Sequence, residues 1–271
     1  MKIIVILFFS MLLALPTYGQ NRETDYLSHV LEKMNAVESV TYHCVKKAWE
    51  PGDKEPGYNV PREIYEHVNP QDTAVGYSFL CASDKEFRQP LWVYDGTVFA
   101  YIEKEEKEVR IDDFTQKSPL PFRVIMPQAF GCMKSILEYA LNTQDSIVLS
   151  LKDEGKDYLM ELSIHTPYQV EFFGKACYMP QNPYIYDPTS IYKIWISKEN
   201  DMPYRYRREM QHSISEDICS DFVYNPSGKG KIVAEDYYPA DYVRRIKGEK
   251  SQKATVDMTG KKAPDWTLTD M

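Results

Sequence analysis

Hydrophobic and polar residues alternate with a period of two over many short segments of this chain, which is the pattern of β-strands buried on one face. The segment 39–49 shows it clearly, because Val40, Tyr42 and Cys44 alternate with Thr41 and His43. Residues that favour turns, such as Gly, Pro, Asn and Asp, separate the segments. We therefore predict strands at 39–49, 62–68, 75–82, 91–94, 97–101, 109–111, 147–151, 158–164, 170–173, 191–196, 204–210 and 218–224.

Two other segments carry hydrophobic residues at the i, i+3, i+4 and i+7 spacing of a helix with one buried face. Thr24 and Asp25 are placed to cap the first helix. Its buried face consists of Leu27, Val30, Leu31 and Met34. The second helix is predicted at 130–142, with a buried face of Met133, Ile136, Leu137, Ala140 and Leu141.

A hairpin is predicted around Asp95-Gly96, because this pair lies between two segments rich in aromatic and β-branched residues. Asp and Gly tolerate the positive φ angles that both central residues of a two-residue type I′ turn adopt. The pattern therefore predicts a tight antiparallel pair formed by 91–94 and 97–101.

The first nineteen residues have the composition of a secretory signal peptide. Lys2 supplies a positive charge, residues 3–15 are apolar, and small residues precede Gln20, so we expect cleavage after Gly19. The apolar run is shorter than the roughly 20 residues that span a bilayer, although a retained anchor is the alternative. No lipidation site follows it, since the first cysteine is Cys44. The mature protein is expected to be exported and periplasmic, with no transmembrane segment.

Composition narrows the set of partners. The chain has 271 residues, a net charge of −8 and a sequence pI near 5.3, which argues against nucleic acid as a partner because phosphate binding needs a basic face. Its 21 tyrosines suit strands with half-buried faces. The length after signal removal fits one large β-rich domain, which we place at 20–245, followed by a polar linker from 246.

The five cysteines are widely spaced and form no Cys-x-x-Cys pair: Cys44, Cys81, Cys132, Cys177 and Cys219. An odd number leaves at least one of them outside any intramolecular disulfide. Unpaired cysteines usually behave as small buried apolar residues, and we predict this for most of them. A thiol active site within this chain is therefore not expected.

No other motif indicates catalysis or a cofactor. The five histidines are isolated from one another, so no metal site is predicted, and no Gly-x-Ser-x-Gly motif is present. Asp217 and Asp221 are too far apart on one strand to act as an acid–base pair, and we interpret both as facing solvent. We predict no catalytic residue and no cofactor.

Two surface features have alternative interpretations. The basic residues Arg205, Arg207, Arg208, Arg244 and Arg245 could contact lipid head groups or an acidic partner, but in an acidic protein we expect them to balance nearby carboxylates. The segment 178–186, with its tyrosines and neighbouring prolines, is either a binding loop or a variable surface loop.

The order of elements and two short motifs resemble the LolA/LolB lipoprotein-carrier superfamily. Trp92-Val93-Tyr94-Asp95-Gly96 is similar to the Tyr-Asp-Gly turn of that family. A strand pair running from Tyr192-Lys193-Ile194-Trp195-Ile196 to Met202-Pro203-Tyr204-Arg205 is similar to its Trp-Ile…Pro strands. The resemblance implies an α+β fold in which a curved antiparallel sheet, an incomplete barrel, wraps around amphipathic helices.

If the resemblance holds, the concave face of the sheet binds a lipid, an acyl chain or another apolar ligand. We name six candidate ligand-binding residues: Tyr42, Trp92, Tyr94, Phe99, Trp195 and Tyr206. The alternative for each is that the ring fills the core, because register decides which side chains face the groove.

The segment Gly260-Lys261-Lys262-Ala263-Pro264-Asp265-Trp266 through Asp270 resembles the entry strand of thioredoxin-like domains of the TlpA and redoxin type. The resemblance implies a following domain with a Cys-x-x-Cys motif, and hence that 246–271 is a linker plus the start of a missing thioredoxin-like domain. Three functions remain open: a non-catalytic binding module, an inactive truncated form of a thiol-disulfide reductase, and a structural or interaction domain with a filled core.

Overall fold

The computed structural model describes residues 17–115 and 122–248. Within these ranges the helices are α1 (Thr17–Asn35), α2 (Ala129–Asn142) and a 3-10 helix, η1 (Ala234–Tyr237). The strands are β1 (Ser39–Trp49), β2 (Tyr58–Val68), β3 (Tyr77–Ala82), β4 (Pro90–Tyr94), β5 (Val98–Glu103), β6 (Glu108–Asp113), β7 (Ile147–Glu154), β8 (Asp157–Ile164), β9 (Val170–Phe172), β10 (Ala176–Tyr178), β11 (Ser190–Ser197), β12 (Met202–Met210), β13 (Ser213–Tyr224) and β14 (Val243–Ile246).

Twelve of the described strands form one sheet in the order β14-β6-β5-β4-β3-β2-β1-β13-β12-β11-β8-β7. Neighbours in this sheet run antiparallel, except that β14 pairs with β6 in parallel. The end strands β14 and β7 do not pair with each other, so the sheet is open. The predicted fold class, a curved antiparallel sheet around helices that does not close, is confirmed.

Both α-helices pack on one face of the sheet, which we call the inner face. Leu27, Val30 and Met34 of α1 are fully buried there, as are Met133 and Ile136 of α2. Full burial of such a side chain stabilises the fold by about 1.5–3 kcal/mol. Their partners on the sheet come from alternate strand positions: Tyr42, Cys44, Ile64, Met160, Leu162, Tyr192, Ile194, Ile196 and Tyr206.

A second core covers the opposite, outer face of strands β2–β6. Tyr65, Leu80 and Val93 lie in it beneath Ile232 and the residues that follow in the chain. The Tyr65 hydroxyl fixes the covering segment by donating a hydrogen bond to the Gly230 carbonyl at 2.6 Å. Because both faces are covered here, all six residues of β3 are buried.

The predicted hairpin forms, but the expected type I′ turn does not. Three residues, Asp95, Gly96 and Thr97, connect β4 to β5, and only Gly96 has a positive φ, at +97°. The Asp95 carboxylate accepts hydrogen bonds from the Thr97 and Val98 amides at 2.8 and 3.0 Å. Both backbone N–H groups therefore have an acceptor within the three-residue connection. A Cβ at Gly96 would lie 2.4 Å from the Asn69 side-chain nitrogen, so this position also needs a residue without a side chain.

The described helix α1 begins at Thr17, so Thr24 and Asp25 lie inside it and do not cap it. Ser28 donates its hydroxyl to the Thr24 carbonyl at 2.8 Å, as an interior helical residue can. Strand β14 was not predicted. It spans Val243–Ile246 and so crosses residue 245, where the domain was expected to end.

Most of the signal peptide (1–16) and the thioredoxin-like segment at 260–270 lie outside the described residues. No described helix is long and apolar enough to cross a membrane.

Candidate functional site

Three of the six candidate ligand-binding residues are buried in the fold. Tyr42, Tyr94 and Tyr206 are 2%, 0% and 5% exposed. The Tyr42 hydroxyl donates to Glu66, and the Tyr94 hydroxyl donates to Asp72 at 2.6 Å, so both polar ends are satisfied internally. The structure therefore places these rings among the packed side chains of the core.

Glu66 of β2 is a buried carboxylate at the beginning of α2. It accepts hydrogen bonds from the Phe130 and Gly131 amides at 3.0 and 3.1 Å and from the Tyr42 hydroxyl. Burial raises its pKa to about 7, although the hydrogen bonds from Tyr42, Gly131 and Phe130 oppose that shift. Glu66 was not among the residues singled out from the sequence. Because residues i and i+2 of a strand lie on the same face, its position two residues after Ile64 was the signal that it lies on the inner face.

Arg123 holds the segment before α2 against the hairpin. Its Nη1 donates to the Tyr94 hydroxyl at 2.8 Å, to the Gly96 carbonyl at 2.5 Å and to Asp72 at 3.2 Å. Its guanidinium carbon also lies 5.2 Å from the centre of the Phe114 ring. The hydroxyl of Tyr94 and the turn at Gly96 are thus occupied by contacts within the protein.

Trp92 and Phe99 lie on a part of the inner face that remains accessible. Trp92 is the register partner of both Cys81 and Tyr101, and Cys81 belongs to the core beneath the helices. The Trp92 and Tyr101 rings stack with centroids 6.2 Å apart and an interplanar angle of 8°. Tyr101 is 43% exposed, which marks the point where the helix cover ends.

A cavity of about 380 Å³ opens beside these rings, between β5, β6 and β14; we call it the edge cavity. Phe99 and Tyr101 supply its aromatic lining, and none of the described side chains of α1 or α2 contributes to it. Among the described residues, its lining is Phe99, Tyr101, Glu108, Arg110, Ile111, Asp112, Arg245, Ile246 and Lys247.

The charges around the edge cavity are compensated. Arg110 lies 3.2 Å from Glu103, Arg245 pairs with Glu108, and Lys247 lies 3.0 Å from Asp112. The expectation that the basic residues balance carboxylates is confirmed across the fold, with the pairs Arg205–Glu216, Arg207–Glu209, Arg208–Glu171, Arg244–Glu235 and Arg245–Glu108. The cavity therefore offers a ligand apolar contact with Phe99 and Tyr101.

Arg62 supports the Trp92 ring from the side of β2. Its guanidinium carbon lies 4.7 Å from the Trp92 ring centre, and its Nη2 donates to the Tyr58 hydroxyl at 2.9 Å. In the described part of the chain no carboxylate lies within 4.0 Å of this 7%-exposed arginine. The stacked cation fixes the orientation of Trp92 and hence of the Tyr101 ring against it.

Trp195 lies on the outer face of the sheet, opposite to Tyr206. Its indole nitrogen donates to Glu154 at 3.1 Å, and the Arg205 guanidinium carbon lies 4.0 Å from its ring centre. The structure thus gathers Trp92, Tyr94 and Phe99 on β4–β5 and separates them from Trp195. Alternation identified two faces on each strand, but it gave no means to tell which face the helices cover.

A second opening of the inner face lies at the end of β13, and sequence analysis missed it. Phe222 and Tyr224 line this cavity of about 330 Å³ together with turns between strands. Their rings continue a row of aromatic contacts from the core, since Phe222 stacks on Tyr42 at 5.0 Å and on Tyr224 at 5.7 Å. The wall also includes Lys156, Asp157 and Glu199.

Asp217 and Asp221 have different environments, which corrects the expectation that both face solvent. Asp217 is 6% exposed and accepts a long hydrogen bond from the Cys44 thiol at 3.6 Å, whereas Asp221 is exposed and lies 3.4 Å from Lys85. The positive φ of Asp221, 56°, breaks the regular alternation of β13 after Cys219. Among the residues that the structure describes, no three His, Cys, Asp or Glu side chains are grouped to hold a metal ion.

No protein-family model matches the chain, and no curated protein matches its sequence. Solved structures similar to it include LprF from Mycobacterium bovis, with 9% identity and a TM-score of 0.38, covering 78% of this chain and 98% of that one. The lipoprotein LppX from Mycobacterium tuberculosis has 8% identity and a TM-score of 0.36 over 76% and 96% of the two chains. A LolA superfamily protein from Nitrosomonas europaea has 9% identity and a TM-score of 0.29 over 80% and 99%. With TM-scores below 0.5, these similarities carry no argument about what this chain binds.

Proposed function

We propose that this chain is an exported, non-catalytic binding module that takes a lipid, an acyl chain or another apolar ligand in the edge cavity. The observation that carries the proposal is the half-exposed Tyr101 ring, stacked on Trp92 and adjacent to Phe99, beside a cavity of about 380 Å³. Small-molecule sites in proteins are concave, are lined by apolar and aromatic side chains, and have volumes of about 300–1,000 Å³.

The chemistry of the lining favours an apolar ligand over a charged one. Each cation beside the cavity already has a carboxylate partner, so an anionic ligand would have to displace Glu103, Glu108 or Asp112. Binding of apolar surface against Phe99 and Tyr101 needs no such exchange and gains about 25 cal/mol per Å² removed from water.

The alternative function was that of a structural domain with a filled core, and the region beneath α1 and α2 is filled in this way. Side chains such as Tyr42, Met133 and Tyr206 are packed there to 5% exposure or less. The proposal therefore assigns the ligand to the margin of the inner face, where β14 extends the sheet beyond the helices. A ligand beneath the helices would require them to move.

The reductase alternative has no support in the described residues, where all five cysteines are unpaired and buried. Export by the predicted signal peptide, and attachment of the module to a thioredoxin-like domain through residues 246–271, remain parts of the proposal. An exported carrier or sensor module of this kind would meet lipids in the periplasm.

The test is a titration of the purified protein from residue 20 onward with an environment-sensitive fatty-acid probe, together with mass spectrometry of lipid that copurifies. We expect saturable binding that Phe99→Ala and Tyr101→Ala each weaken by about tenfold, because each removes an aromatic wall. Tyr184→Ala is the matched control, since that tyrosine is 82% exposed and lines neither cavity of the inner face. The proposal fails if the probe does not saturate, or if it binds both variants as well as it binds the parent.

A further inference from the structure

A separate cavity of about 490 Å³ lies on the loop between β10 and β11, away from the edge cavity. The turn before β9 forms its other wall. Its lining consists of Pro167, Tyr168, Gln169, Pro180, Gln181, Asn182, Pro183, Ile185, Tyr186 and Pro188.

None of these ten lining residues is charged, although charged residues make up 27% of the chain. The neighbouring Asp187 uses its carboxylate to accept the Thr189 amide at 2.9 Å, and it does not line the cavity. A ligand with a net charge would find no counter-ion among the lining residues. The lining therefore selects for a neutral ligand.

Two aromatic rings and two exposed amide side chains provide the contacts. Tyr168 is 40% exposed and Tyr186 is 86% exposed, so both rings have free faces. Gln181 and Asn182 are exposed and carry primary amides, each of which offers both donors and acceptors, whereas Gln169 is buried and its amide nitrogen lies 3.3 Å from Nδ1 of His212. Hydroxyl groups are also donors and acceptors at once, and amides pair with them in either direction.

The loop is held in shape before any ligand arrives. Gln211, in the turn between β12 and β13, accepts the Tyr186 and Asp187 amides at 2.8 and 2.9 Å. Asn182 accepts the Tyr184 amide at 3.0 Å through its Oδ1, which leaves its NH₂ group free. The three prolines of the loop, Pro180, Pro183 and Pro188, restrict its backbone further. A loop ordered in this way loses little conformational entropy when it binds.

We propose that this loop cavity is a binding site for a neutral saccharide. Sugar rings present apolar C–H faces, which stack on tyrosine, and a rim of hydroxyls, which pair with amides. An unbranched stretch of neutral glycan therefore matches the exposed rings, the amides and the absence of charge together. The site is independent of the apolar ligand assigned to the edge cavity.

A proline-rich peptide is the competing occupant, because aromatic grooves also bind polyproline helices. Such a peptide presents backbone carbonyls as acceptors but has no hydroxyls or proline N–H groups to donate. The acceptor oxygen of Gln181 would then stay unused, so the exposed amides fit a saccharide better.

The test uses the purified chain from residue 20 and four neutral hexasaccharides: maltohexaose, cellohexaose, chitohexaose and mannohexaose. Hexagalacturonate and decaproline serve as the charged and peptide comparisons, and binding is followed by saturation-transfer NMR and calorimetry. We expect at least one neutral hexasaccharide to bind with a Kd of about 1 mM or tighter, and neither comparison ligand to saturate.

Tyr186→Ala and Gln181→Ala should each weaken that binding by about tenfold, whereas Tyr184→Ala, on the same loop but outside the cavity lining, should not. Because Tyr186 is 86% exposed, its replacement leaves the fold intact, which an unchanged melting temperature verifies. The proposal is overturned if no neutral hexasaccharide saturates at about 10 mM. It is also overturned if decaproline binds in its place, or if Tyr186→Ala binds as the parent does.

Discussion

Glu66 caps the N-terminus of α2 from a neighbouring strand: its Oε2 accepts the Gly131 amide at 3.1 Å. The side chain is 1% exposed, so a single carboxylate satisfies helix amides that no residue of the helix itself caps. The positive end of the helix dipole favours the ionised form, whereas burial disfavours it. Burial dominates, because the pKa of Glu66 is raised to about 7.

We predict that stability declines as the pH rises from 4.5 to 7, the interval between the ordinary and the raised pKa of Glu66. The folded state holds this proton more tightly than the unfolded state, so its contribution is complete below pH 4.5 and is lost by deprotonation above it. The contribution is roughly 3 kcal/mol across the interval. Urea unfolding of Glu66→Gln between pH 4 and 8 checks this, since the amide keeps an acceptor but does not titrate.

The Glu66→Gln variant should show a flatter pH profile than the parent by that amount. Glu235→Gln is the control, because its side chain is 71% exposed and lies far along the chain from α2, and it should keep the profile of the parent. Equal slopes for Glu66→Gln and the parent would contradict the assignment of the pH dependence to this carboxyl.

Gly131→Ala should destabilise the protein although alanine is the better helix former. A Cβ at this position would lie 2.8 Å from the Glu66 Oε2, 2.9 Å from the Pro127 Cβ and 3.0 Å from the Tyr77 ring. Overpacking of this kind costs about 1–3 kcal/mol, against a gain of about 1 kcal/mol in helix propensity. Gly57→Ala has open space around it and should be close to neutral in the same chemical denaturation experiment. A Gly131→Ala protein more stable than Gly57→Ala would refute the close approach.

Local patterns predicted the elements well, because each pattern depends on a few consecutive residues. The helix predicted at 130–142 is Ala129–Asn142, and β1 is Ser39–Trp49 as expected. Strand β14 was missed because its four residues, Val243–Ile246, are largely exposed and carry two arginines. Its position depends on pairing with β6, which lies more than a hundred residues away in the chain.

The candidate site could be predicted only in part, because alternation within a strand does not say what covers each face. Trp92 and Phe99 belong to the accessible margin of the inner face, but Tyr42 and Tyr206 are covered by the helices. Tyr101 was not among the six candidates, although it is the exposed residue directly opposite Trp92 in the hairpin. Which of these rings is accessible follows from how far α1 and α2 extend over the sheet.

Arg123→Ala should destabilise the fold by about 3 kcal/mol, because it leaves the buried carboxylate of Asp72 without its cation. The Asp72 side chain is 3% exposed, and Arg123 also ties Tyr94 and the Gly96 carbonyl to the same point. The control Lys85→Ala breaks a pair whose two side chains are 71% and 65% exposed, and it should cost less than about 0.5 kcal/mol. Similar losses in the two variants, measured by urea unfolding at one pH, would show that Arg123 has no special structural role.

The five thiols should be unreactive in the folded protein and all present once it is unfolded. Burial raises the pKa of the Cys132 thiol to about 12 and holds the pKa values of Cys81, Cys177 and Cys219 above the ordinary thiol value, so little thiolate exists at pH 8. We expect Ellman's reagent to label less than one thiol rapidly under native conditions and five in guanidinium without reductant. Rapid labelling under native conditions would contradict this prediction and would support redox chemistry at one of the thiols.

A count of three thiols after unfolding would reveal one disulfide. Cys44 and Cys219 are its candidates, because they lie directly opposite each other on β1 and β13 and are the only register partners among the described cysteines.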